Sequence, residues 1–202
     1  MSKKFKVCVV INNRANYGRI HSFLEELKKN NRIDLKIILG SSATIQRYGD
    51  MTKIIKNDGF KIYKKIYNQI DSDTPGGMAK TTALLIIEIT NILEKMRPDY
   101  VLSIADRYEN LAQVIAASYL NIPVIHTQGG EVTGSIDESV RHAITKLSHI
   151  HFPATKKAKK NLIKMGEDPS MVFNVGCPSI DPINSINKKI DKNFFNTNDG
   201  TG

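Results

Sequence analysis

Short apolar runs rich in β-branched residues alternate along this chain with longer segments in which apolar positions recur every three or four residues. The runs at residues 5–11, 35–39, 60–63, 100–104, 124–127, 150–153 and 172–175 are mostly apolar on both faces, as strands covered by helices on each side must be. Between them, residues 17–29, 44–57, 79–95, 109–120, 137–147 and 156–165 carry helical spacing, each after a polar or Gly-containing stretch. This alternation predicts an α/β fold: a parallel sheet whose strands are joined by helical crossovers. Ligands bind such sheets beyond the carboxyl ends of the strands, which directs attention to the loops that follow them. Three of those loops are unusually polar, at residues 12–18, 105–109 and 128–139.

A length of 202 residues suits one complete core with room for the start of a second. After Pro178 the chain turns Asn- and Lys-rich and ends NFFNTNDGTG, which reads as a linker or a truncation. The segment 68–80 sets Pro75, Gly76 and Gly77 before a helix and reads as a turn, or as a mobile loop near a site. The balance of 41% hydrophobic and 24% charged residues is that of a soluble globular protein. The apolar run after MSKKF is too short for a secretion signal or a membrane span, so a cytoplasmic protein without membrane partners is expected. Cys8 and Cys177 then read as reduced, buried side chains. The net charge of +9 raises the question of an acidic partner. Much of it lies in Lys156, Lys157, Lys159, Lys160 and Lys164, at the spacing of a solvated helix face without aromatic interleaving, so nucleic acid is not expected.

The loop after the first strand, NNRANYG, lacks the glycines that bring a backbone against a dinucleotide's pyrophosphate, and no Walker spacing, zinc spacing or H-E-x-x-H occurs. Neither a cofactor nor a metal is expected. Arg14 in that loop can clamp a phosphate or can simply be a surface arginine, with Tyr17 at the helix entrance. In SIADRYEN, Asp106 stands at a strand end, either capping the next helix or acting as a base, with Glu109 at the helix start. The densest group is HTQGGEVTGSIDESVRHAITKLSHIHF at 126–152, with His126, Gln128, Glu131, Asp137, Glu138, Arg141, His142 and His151. Gly129, Gly130 and Gly134 let the backbone come close to a ligand, and Ser135 or Asp137 can cap the helix. Carboxylates beside an arginine and histidines can divide proton removal and delivery; a solvated loop with structural histidines is the competing reading.

These motifs, together with NRANYG, ADRYENLA and NVGCPSID, resemble the hydrolysing UDP-N-acetylglucosamine 2-epimerases over about residues 5–183, especially the branch serving sialic and related nonulosonic acids. The resemblance implies the N-terminal half of a two-domain fold like that of B-type glycosyltransferases. Residues 1–176 would form the Rossmann-like domain, and 177–202 the hinge and start of the second half. It implies that a sugar nucleotide, UDP- or GDP-linked, loses its C2 proton and then the nucleoside diphosphate, and that water adds to the unsaturated sugar without redox cofactor or metal. By position, Asp106, Glu131, Asp137 and Glu138 would be the acid/base candidates and Arg141 would orient them. Arg14, Tyr17, His126, Gln128, Gly129, Gly130 and His151 would hold substrate. Gln128 departs from branches that carry glutamate there, and an amide exchanges no proton as a carboxylate does, which leaves the C2 base unassigned. The family's habits also imply a homodimer or a complementary C-terminal domain as partner. A non-catalytic nucleotide-binding or dimerisation module, and a glycosyltransferase-type domain, are the alternative functions.

Overall fold

Alternate residues of the first strand enter opposite cores, and the architecture follows from that. In the computed structural model, which describes residues 3–181 apart from Asp50 and Asp73, β1 (Phe5–Ile11) sends Cys8 and Val10 into one apolar cluster and Val7, Val9 and Ile11 into the other. β2 (Ile33–Leu39), β4 (Tyr100–Ile104) and β5 (Val124–Thr127) divide their side chains in the same way. Each fully buried Val, Leu or Ile contributes about 1.5–3 kcal/mol, so a strand sealed on both faces is costly to displace. With β3 (Ile62–Lys65) and β6 (Ile150–Phe152) at the edges, the sheet is parallel throughout in the order β3-β2-β1-β4-β5-β6. Together with the helices on its faces, this makes the chain the α/β fold expected of it.

α1 (Arg14–Lys29) and α2 (Met51–Asn57) cover one face. α3 (Pro75–Met96), α4 (Tyr108–Tyr119) and α5 (Ile136–Lys146) cover the other. α6 (Lys156–Lys164) follows β6, burying Ala158 and Leu162 and turning most of its lysines to solvent. Its N-cap Thr155 accepts a hydrogen bond from the Ala158 amide at 3.0 Å.

Several element boundaries differ from the sequence expectation. Residues 44–57 are not one helix: two 3₁₀ turns, Ser41–Thr44 and Gln46–Tyr48, precede α2. α3 starts four residues earlier than the apolar spacing suggests, because Thr74 caps it through the Gly77 amide at 3.1 Å and Pro75 occupies the first turn, where a missing N–H costs nothing. Residues 172–175 form no strand; a single bridge joins Val172 to His151, and Asn174 Nδ2 donates to the Pro153 carbonyl at 3.0 Å. Residues 182–202, most of the expected hinge and second-half start, lie outside the described residues. No described helix is long and apolar enough to cross a membrane. Cys8 is buried and Cys177 half-buried, both as free thiols, and burial pushes the Cys8 thiol up to about 12.

Candidate functional site

β1 and β4 are neighbours at the centre of the sheet, and the chain leaves them toward opposite edges, so a crevice opens beyond their carboxyl ends. A cleft of about 710 Å³ lies there. Arg14 and Arg19 of α1 face Asp106 and Arg107 after β4 and Asp137 in the first turn of α5, while Tyr48, Gln69 and Met78 form the wall on the β2–β3 side. A second cavity of about 510 Å³, between Phe23, Phe152 and Pro178, carries Glu25, Glu26 and Asp181 and, among the described residues, no lysine or arginine on its walls, which suits an anionic ligand poorly.

Asp106 is the centre of the charged half. The preceding Ala105 has φ 55°, in the left-handed region, which turns the chain sharply out of β4. Asp106 does not cap α4, whose N-cap is Arg107 without a side-chain cap. Its Oδ2 accepts instead from Nη2 of the buried Arg141, and Nη1 of the half-exposed Arg19 stands 3.7 Å from Oδ1. The other Arg141 terminal nitrogen donates to the Glu131 carbonyl at 2.7 Å, so one guanidinium ties the Gly-rich loop to the strand-end carboxylate. Arg107 stacks over the Tyr108 ring at 5.0 Å and pairs with the buried Glu109 at 3.3 Å.

Of the residues singled out in the sequence, the structure brings Arg14, Asp106 and Asp137 into the cleft, with Arg141 buried behind Asp106. Tyr17 is not there: its hydroxyl donates to Asp58 Oδ2 at 2.5 Å, and its ring meets His21 and Phe60 on the far side of α1. Glu138 faces its own loop, its Oε2 accepting from the Thr133 and Gly134 amides at 2.7 and 2.6 Å, which holds the carboxyl below the usual range. Ser135, expected with Asp137 as a possible cap of α5, makes no side-chain cap, and the Glu138 contacts instead brace the loop that leads into the helix. Glu131 is half-buried and joins the site through its backbone oxygen.

The histidines are structural neighbours of the cleft rather than its lining. His126 is fully buried, and burial pushes its ring down to about 4. His151 is buried with Nε2 at 3.1 Å from Glu167, and burial, opposed by that carboxylate, lowers it too. Gln128 turns toward the segment after β6, with Nε2 4.0 Å from Cys177 Sγ. Gly129 and Gly130 serve packing within the protein. A Cβ on Gly129 would sit 2.8 Å from His126 Nδ1, and one on Gly130 would sit 2.4 Å from the Ala158 carbonyl oxygen. Arg19 and Arg107 are the site cations that the loop motifs did not reveal. Arg19 follows Ala15 and Asn16 by one helical turn, and that spacing from the first loop is the signal that finds it. Among the described residues no three His, Cys, Asp or Glu side chains converge as a metal-binding group.

A family model described as UDP-N-acetylglucosamine 2-epimerase matches residues 25–200. The UDP-N,N'-diacetylbacillosamine 2-epimerase (hydrolyzing) of Legionella pneumophila is 42% identical over 178 residues, 88% of this chain and 47% of that protein. The GDP/UDP-N,N'-diacetylbacillosamine 2-epimerase (hydrolyzing) of Campylobacter jejuni is 34% identical over 193 residues, 94% of this chain and 50% of that protein. A crystal structure of UDP-GlcNAc 2-epimerase from Neisseria meningitidis bound to UDP-GlcNAc superposes with a TM-score of 0.78 at 25% identity, over 90% of this chain and 49% of that one. The chain spans about half the length of the curated relatives it matches. Sequence and fold agree, and the chain belongs to the UDP-N-acetylglucosamine 2-epimerase family.

Proposed function

We propose that this chain is the N-terminal, carboxylate-bearing half of a hydrolysing 2-epimerase acting on a UDP-linked 2-acetamido sugar. The observation that carries the reading is the cleft beyond β1 and β4, where Asp106 is held between Arg141 and Arg19 and Asp137 stands opposite α1. Inversion at C2 requires a proton to leave one face of the sugar and another to arrive on the opposite face, and two separately placed carboxylates can divide those tasks. Asp137, with Arg107 as its charged neighbour and no side-chain hydrogen bond among the described residues, is the better proton acceptor; Asp106, fixed by two guanidinium groups, is the better anchor. Once the C2 proton has left, the C1–O bond to the diphosphate breaks, giving the 1,2-unsaturated sugar and UDP. Arg14 and Arg19 stabilise the departing anion, and water then adds at C1 as C2 is reprotonated.

On this reading residues 1–176 form the first domain and 177–202 lead toward a second half that grips the nucleotide, the protein works in the cytoplasm, and its natural partner is a second copy or that second half. The diacetylbacillosamine enzymes among its relatives make a UDP-linked 2,4-diacetamido sugar the first substrate to try beside UDP-N-acetylglucosamine. The test measures UDP release, and deuterium uptake at C2 in heavy water, for this chain alone and for the chain fused to the second half of the Legionella relative. The fusion is expected to release UDP and the labelled free sugar, and Asp106→Asn or Asp137→Asn to lower kcat by about 100-fold or more. A fusion that folds and binds UDP yet releases none from either substrate sinks the proposal in favour of a non-catalytic module.

A further inference from the structure

His126 stands at the end of β5 with both ring nitrogens engaged and no exposed surface. Nε2 lies 2.8 Å from the Ala105 carbonyl oxygen, and Nδ1 lies 3.2 Å from Thr145 Oγ1. A carbonyl oxygen only accepts, so Nε2 carries the proton and the Thr145 hydroxyl donates to Nδ1. The ring is therefore a neutral strut between β5, α5 and the turn after β4. That turn is the one that presents Asp106. Ala105 holds φ 55°, a conformation that costs an L-residue about 1 kcal/mol or more and persists only where its surroundings enforce it. Both of its peptide groups are enforced from β5: the Ala105 amide donates to the Thr127 carbonyl at 3.0 Å, and the Ala105 carbonyl, which belongs to the peptide plane leading into Asp106, accepts from His126. The glycine at 129 admits the ring, since a Cβ there would stand 2.8 Å from Nδ1.

We propose that His126 is a positioning residue: by donating from Nε2 to the Ala105 carbonyl it fixes the peptide plane that aims the Asp106 carboxylate at Arg141 and the cleft. The inference rests on the reading of Asp106 as a working carboxylate only for its functional meaning; the geometry can be tested without turnover. Two NMR measurements on the whole chain decide it. Two-bond nitrogen spectra of the wild-type protein report the tautomer, and the Nε2–H form is expected, uncharged across about pH 5 to 8. The guanidinium signals of Arg141 report the Asp106 contact, because a buried guanidinium held at Nη2 by Asp106 and at Nη1 by the Glu131 carbonyl rotates slowly about its terminal nitrogens. His126→Gln, whose amide can still donate to Ala105, is expected to keep the wild-type Arg141 pattern. His126→Phe, a ring without a donor, is expected to speed that rotation about tenfold, toward the value in Asp106→Asn. A role confined to filling the core would lower thermal stability in both variants and leave the Arg141 signals unchanged. An Nδ1–H tautomer overturns the proposal, as does a folded His126→Phe protein with wild-type Arg141 signals; if that variant does not fold, the tautomer alone decides. Failure of the wild-type chain fused to a second half to release UDP would defeat the functional reading and leave both of these results as they stand.

Discussion

Arg141 and Asp106 carry opposite charges in a nearly sealed place, their side chains 3% and 15% exposed. Removing Arg141 leaves Asp106 with only the half-exposed Arg19 at 3.7 Å, and breaking a buried pair in this way costs up to about 3–5 kcal/mol. Arg141→Met is therefore expected to lower the urea stability by that amount, and adding Asp106→Asn should return a good part of it, as a double-mutant cycle would show. Gly130 offers a second test at this scale. Its φ of 82° is unfavourable for any side chain, and the space for a Cβ is taken by the Ala158 carbonyl oxygen. Gly130→Ala should cost about 2 kcal/mol or more, whereas Gly134→Ala, with φ 73° and open surroundings, should cost about 1 kcal/mol. Equal losses in chemical denaturation would mean that φ alone matters at Gly130. The sequence marks both glycines as positions of free backbone, yet the reason for Gly130 lies on α6, a separate element whose approach no local pattern encodes. The same limit applies to Tyr17 and the two buried histidines: their motifs are legible, but the direction of each side chain depends on which element packs above it.

At the scale of elements, legibility follows burial. β1, β4 and β5 are sealed on both faces, so their apolar runs match the observed strands residue for residue. The edges are less constrained. β3 begins two residues later than its apolar run, with both middle residues exposed, and the run at 172–175 pairs only through Val172. An apolar run predicts a strand only when a neighbouring strand supplies its ladder. Helix starts are governed by capping chemistry that apolar spacing does not register, and α3 shows the consequence. Its first turn holds Gly76 and Gly77, poor helix formers, and Gly77 is confined by Ser72, so the Thr74 hydroxyl is the principal support of that end. Thr74→Ala should cost about 1 kcal/mol, read as a fall of about 2–4 °C in the thermal midpoint, and Thr74→Ser should cost little. An unchanged midpoint for the alanine variant would show that Pro75 alone sets the start. This end of α3 also borders the cleft through Met78, so the cap helps shape the wall opposite Asp106.

In the whole molecule, the cleft proposed as the site lies where the strand order reverses, the place to which the alternation of strands and helices directs attention once it implies a parallel sheet. What the alternation leaves out is how widely separated segments share one buried network, and the clearest consequence is the response to acid. His126 has its pKa pushed from 6.5 to about 4 by burial, and His151 is lowered in the same direction. Above pH 6.5 the His126 ring is neutral folded or unfolded and contributes no pH dependence. Between pH 6.5 and about 4 the unfolded chain takes up a proton that the folded chain refuses, so the unfolded state is favoured progressively. Stability should therefore fall by about 1.4 kcal/mol per pH unit on account of this ring across that window, and the loss should level off below it, where the folded ring also protonates. Glu138 adds a loss in the same direction at lower pH, since its carboxyl is held below the usual range by two amides. Urea unfolding at pH 7 and pH 5 separates the contributions, because the glutamine in His126→Gln does not titrate. That variant should lose roughly 1 kcal/mol less than the wild type per unit of acidification. If both proteins lost stability in parallel, the His126 ring would have to be charged in the fold, and with a second proton on Nδ1 it could no longer accept from Thr145. An acid response that vanishes with His126 would tie the stability of the whole domain to the same neutral ring that holds the turn before Asp106.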